Sequence, residues 1–89
     1  MMAHIIIRGL VQGVGYRFFV IRKAEEYHIK GYVRNLPDHN VEVVAQGEKG
    51  LVHGFIEQLK IGPASAHVTG VDVEWSEQEP EFIDFDVKF

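Results

Sequence analysis

Within Arg8-Gly9-Leu10-Val11-Gln12-Gly13-Val14-Gly15-Tyr16-Arg17, three glycines fall in seven residues and an arginine closes the run. Glycine takes positive φ without steric penalty, so successive backbone amides can turn inward on one anion. The planar guanidinium of Arg17 matches two oxygens of a phosphate or carboxylate at once, and a helix starting there adds the partial positive charge of its first turn. These residue types at this spacing predict the holding of a small phosphate-bearing molecule. Its ligands would be the backbone amides of Val11, Gln12, Gly13, Val14, Gly15 and Tyr16 together with the Arg17 side chain. The plainer reading of Arg17 is one half of a surface salt bridge. A helix dipole disfavours a cation at its N-terminus, which favours an anion beside it instead.

Such a loop needs a strand before it and a helix behind it, and the pattern supplies both. Residues 4–10 are apolar, rich in isoleucine and ended by glycine, which predicts a central strand buried on both faces. From about residue 17 to 27, Val20, Ala24 and Tyr27 recur at helical spacing with Arg22, Lys23, Glu25 and Glu26 between them. Residues 30–36 and 41–47 are strand-like runs joined by Pro37-Asp38-His39-Asn40, a set of types that favours a turn, so a hairpin is expected. Leu51, Phe55 and Leu59 form a second helical stripe, stopped by Gly62-Pro63. Alternation of apolar and polar residues over 71–76 and again over 83–89 predicts two further strands. The order β-α-β-β-α-β, with one added C-terminal strand, is that of an α+β, ferredoxin-like α/β sandwich: two helices on one face of a mostly antiparallel sheet.

Composition narrows what this architecture can be used for. A chain of 89 residues with 46% hydrophobic content builds one core, so residues 1–89 are expected to form a single domain. No apolar run is long enough for a membrane span or a signal peptide, which predicts a cytoplasmic protein with no membrane partner. The absence of cysteine removes disulfides and thiolate chemistry. A net charge of −4 argues against a nucleic-acid partner. The strands at 4–10 and 41–47 also lack the aromatic platform of RNA-binding domains. Six of the nine basic residues lie before residue 40, and seven carboxylates crowd 72–86, both read as solvated faces apart from Arg17. The five histidines are scattered without the i, i+4 pairing of a helical metal site, and the acidic stretch around Pro80 reads as surface loop, so no metal and no cofactor is expected.

Val11-Gln12-Gly13-Val14-Gly15-Tyr16-Arg17, followed by Gly31-Tyr32-Val33-Arg34-Asn35, then Val41-Glu42-Val43-Val44-Ala45-Gln46-Gly47 and Gly62-Pro63, resembles an acylphosphatase over essentially the whole chain. The resemblance implies metal-independent hydrolysis of the carboxyl-phosphate bond of acyl phosphates, with Arg17 and Asn35 as the site residues. It also implies a small acyl phosphate as substrate and inorganic phosphate as product and competitive inhibitor; the short length and polar helix faces fit a monomer. Read alone, Asn35 is a turn residue closing the hairpin. Within the family pattern it takes the attacking water, because its amide neither gains nor loses a proton at neutral pH but can accept from water and donate to it. A different class of function, a phosphate-binding ferredoxin-like module without catalysis, would keep the same loop and lack the role of Asn35. Two positions depart from the family's usual glycines: His28, where the first helix ends, and His39, in the hairpin turn. Left-handed backbone is expected at His28.

Overall fold

The computed structural model describes residues 1–77 and 82–89. Its elements are β1 (Met2–Leu10), α1 (Tyr16–Glu26), β2 (Lys30–Asn35), β3 (Val41–Gln46), α2 (Lys49–Ile61), β4 (His67–Ser76) and β5 (Phe85–Val87). The strands form one sheet in the order β4-β1-β3-β2-β5. Every pairing is antiparallel except β2 with β5, which is parallel. The fold is therefore the ferredoxin-like sandwich that the element order predicts, with the added strand placed at the sheet edge beside β2.

Both helices pack on one face. Ile5 and Ile7 of β1, Val33 of β2, and Val41 and Val43 of β3 point into the same core as Phe19, Val20 and Ala24 of α1 and Val52, Phe55, Ile56 and Leu59 of α2. All are at most 8% exposed. Period-2 burial in the strands and period-3.6 burial in the helices meet in this layer, which is how the pattern encodes the fold.

The expectation that residues 4–10 are buried on both faces is corrected. His4 and Arg8 are exposed and Ile6 is half-buried, because the helices cover one face only and the other meets water. That open face is nevertheless closed at its centre. Glu42 and Val44 of β3 are 8% and 7% exposed. Glu42 takes contacts from both sides, with His4 Nε2 at 2.7 Å and Arg34 Nε at 2.5 Å.

β1 starts two residues earlier than expected, at Met2, β2 and β3 each end one residue earlier, and the larger differences are at β4 and β5. β4 begins at His67, four residues before the alternation becomes visible, because β1 runs on past an irregularity at Arg8/Gly9 and keeps pairing with Val68 and His67. β5 covers only three residues of the alternating 83–89 segment. Its ladder with β2 spans Gly31 to Val33, leaving Ile83 and Phe89 exposed. Glu77 is exposed, as expected of the acidic stretch, whose residues 78–81 lie outside those described.

Candidate active site

β1 delivers the chain to residues 11–15, and two glycines there turn it. Gly13 and Gly15 have φ of 74° and 76°, in the left-handed region that side chains disfavour, and a Cβ on either would meet open space within 4 Å. Gly15 is also the N-cap of α1, with no side-chain cap and no acidic residue in the first turn. The first-turn amides therefore keep their donor capacity and their share of the helix dipole. A side-chain cap or an Asp at this end would have satisfied them internally.

Arg17 sits in that first turn, half-buried. Among the described residues it pairs with no carboxylate, so the surface salt bridge that would otherwise account for it is not formed. Its guanidinium lies 5.5 Å from the centre of the Phe89 ring, a cation–π contact. Asn35, the last residue of β2, comes to the same place across the sheet. Val11, Gly13, Gly15, Tyr16, Arg17, Phe18 and Asn35 line one hollow of about 200 Å³. A water occupies about 30 Å³ in the liquid, so a small anion with a water beside it is accommodated. Larger hollows lie elsewhere: one of about 520 Å³ beside Arg22 and His28 and one of about 260 Å³ beside His4 are each lined by two carboxylates, and one of about 230 Å³ beside Lys60 has no carboxylate but no arginine or asparagine either. The hollow at Arg17 has no carboxylate.

The carbonyl oxygen of the Asn35 side chain is buried and has no hydrogen-bond partner among the described residues. Burying an acceptor without a partner costs about 1 to 3 kcal/mol. Of the residues expected at the site, Gln12 and Val14 are not among those lining the hollow, Phe18 lines it without having been expected, and Tyr16 contributes structure beyond its amide. The Tyr16 hydroxyl donates to the carbonyl of Leu59 at 2.7 Å, and burial pushes its pKa well above the ordinary 10.0. It is a neutral strut between the loop and α2.

Four contacts around the loop were not legible in the sequence. Gln12 Nε2 donates to the carbonyls of Leu36 and Asn40, Ser65 Oγ donates to the Val14 carbonyl at 2.8 Å, and Phe89 meets Arg17. Each joins residues at least 24 positions apart, and no local pattern announces a partner at that range. No group of three or more His, Cys, Asp or Glu comes together among the described residues.

Fold and site together define a ferredoxin-like α/β sandwich with an anion-complementary loop at a helix start. The acylphosphatase family model matches residues 3–87, and the chain belongs to that family. It is 52% identical over 71 residues to an acylphosphatase of Chlorobaculum tepidum, covering 80% of this chain and 77% of that one. The crystal structure of acylphosphatase from Bacillus subtilis superposes with a TM-score of 0.96 at 33% identity, covering 99% and 98% of the two chains. The same fold recurs as 12% of full-length HypF, crystallised in a phosphate- and nucleotide-bound form, with a TM-score of 0.90 and 31% identity.

Proposed function

We propose that residues 1–89 act as one acylphosphatase unit in which the hollow at Arg17 takes the phosphoryl group of an acyl phosphate and Asn35 presents the attacking water. The observation that carries this reading is the pairing, in one hollow, of an arginine and a buried side-chain carbonyl that have, among the described residues, no acidic partner and no donor respectively.

The proposed chemistry follows from the substrate. An acyl phosphate is a mixed anhydride whose leaving carboxylate has a pKa of roughly 4, so it departs without a proton and no general acid is required. Arg17 and the amides of residues 11–16 hold the phosphoryl oxygens and offset their charge. Water accepted at the Asn35 carboxamide attacks phosphorus in line, the bond from phosphorus to the carboxyl oxygen breaks, and its electron pair leaves with the carboxylate. The proton shed by the water passes to a phosphate oxygen, giving a carboxylate and inorganic phosphate. No step calls on a metal or a second subunit, so a monomer suffices. The product occupies the same cradle as the substrate phosphoryl group and therefore competes with it.

Purified protein assayed with acetyl phosphate or benzoyl phosphate in EDTA is expected to release inorganic phosphate, with added phosphate inhibiting competitively. Retention of phosphate binding without turnover would establish a non-catalytic phosphate-binding module in its place.

A further inference from the structure

Gln12 belongs to the loop through its backbone, yet its side chain leaves the loop. Its Nε2 lies 2.9 Å from the carbonyl oxygen of Leu36 and 2.7 Å from that of Asn40. Two carbonyl acceptors can be met only by the NH₂ end of a carboxamide, so both amide hydrogens are committed. The two acceptors bracket the hairpin turn: Leu36 N–H donates to the Asn40 carbonyl at 2.9 Å, and Leu36 directly follows Asn35. One side chain thus connects the loop that carries the amides and leads to Arg17 with the backbone next to Asn35. These two segments are otherwise separated by α1 and β2 in the chain and by β3 in the sheet.

We propose that Gln12 is a positioning residue, setting the distance and orientation between the phosphate-holding loop and the Asn35 carboxamide. The inference rests on the acylphosphatase mechanism proposed above and adds to it the element that keeps its two halves in register. In-line attack is sensitive to such placement, since an error of about 1 Å between reacting groups can cost two orders of magnitude in rate. Phosphate affinity is not sensitive to it, because the loop amides and Arg17 hold the anion whether or not Asn35 stands at the correct distance. The Gln12 side chain touches neither the phosphoryl group nor the water in this account; only its backbone amide belongs to the cradle.

The test compares wild type, Gln12→Met, Asn35→Ala and the double variant, reading kcat for acetyl phosphate, the inhibition constant of inorganic phosphate, and Tm. Gln12→Met keeps the length of the side chain and removes both donors. It is expected to lower kcat about tenfold or more while the phosphate constant stays within about twofold. On the Asn35→Ala background the same change should add no more than about twofold, because Gln12 acts through Asn35. An unchanged kcat, equal losses in kcat and phosphate affinity, or losses that multiply in the double variant would each overturn the inference. Gln12→Leu serves the same purpose if Gln12→Met does not fold, and failure of both to fold would assign Gln12 a purely structural role and overturn it. Absence of hydrolysis by wild type would instead remove the mechanism itself, which separates the two failures.

Discussion

Arg17 and Asn35 divide the work of the proposed site by what their side chains can and cannot do. A guanidinium is charged at every accessible pH and carries a rigid fork of donors; a carboxamide is never charged and both accepts and donates. The first suits a phosphoryl group, the second a water. Loss of a single well-placed donor in a preorganised site costs roughly 3 to 4 kcal/mol of transition-state stabilisation. Arg17→Ala is therefore expected to lower kcat/KM for acetyl phosphate by at least about two orders of magnitude, and steady-state kinetics would show it; a loss below tenfold would remove Arg17 from the centre of the account. At this scale the sequence was informative where residue type dictates chemistry, as for arginine behind glycines. Gln12 shows its limit. Its type said only that it is polar, and its partners were fixed by a fold that brings Leu36 and Asn40 to it across 24 and 28 residues.

Elements make those residues meet, and their ends carry most of the special geometry. α1 begins at left-handed Gly15 and ends at left-handed His28, with φ of 56°. The ending is a Schellman motif: His28 N–H donates to the Glu25 carbonyl at 3.3 Å and Ile29 N–H to that of Ala24 at 2.8 Å. His39, in the hairpin turn, has φ of 73°. Histidine at both positions stands where glycine would be unstrained. Left-handed backbone costs a side-chain-bearing residue roughly 1 to 2 kcal/mol, partly returned by its smaller chain entropy in the unfolded state. His28→Gly is expected to raise stability by about 0.5 to 1 kcal/mol and Tm by a few degrees, without altering turnover. A lower Tm by calorimetry would show that the His28 side chain stabilises more than its backbone strains. The left-handed helix end was legible from a known pattern and its departure. The early start of β4 was not, because it depends on β1 continuing past its own irregularity.

Across the whole molecule, charges that look segregated along the chain are interleaved in space. β1 pairs with β4, which sets Arg8 against Asp72, and β2 pairs with β3, which sets Arg34 against Glu42. Glu42 is the most constrained of these groups. Burial alone would raise its pKa, but hydrogen bonds from His4 and Arg34 outweigh that effect and hold the carboxyl below its ordinary 4.5. A carboxylate whose folded pKa is depressed contributes stability that is complete above the unfolded value and is lost as pH falls through the folded one. Thermal unfolding followed downward from pH 5 should therefore show a destabilisation that Glu42→Gln flattens, since the amide has no proton to take up. Equal acid slopes for the two proteins would place the acid sensitivity elsewhere. No helix among the described residues is long and apolar enough to cross a membrane. The open face of the sheet, with its polar network, is the part of the molecule that sequence periodicity misjudged. A run of three isoleucines looks buried on both sides when two helices can cover only one.

The central claim is that one hollow separates holding from attack, with Arg17 and the loop amides holding and Asn35 making the held group reactive. It is tested most directly by Asn35→Ala, measured for both acetyl phosphate turnover and competitive inhibition by inorganic phosphate. The account predicts that kcat falls by about two orders of magnitude or more while the phosphate inhibition constant changes by less than about threefold. A variant that keeps wild-type kcat and loses phosphate affinity would contradict it.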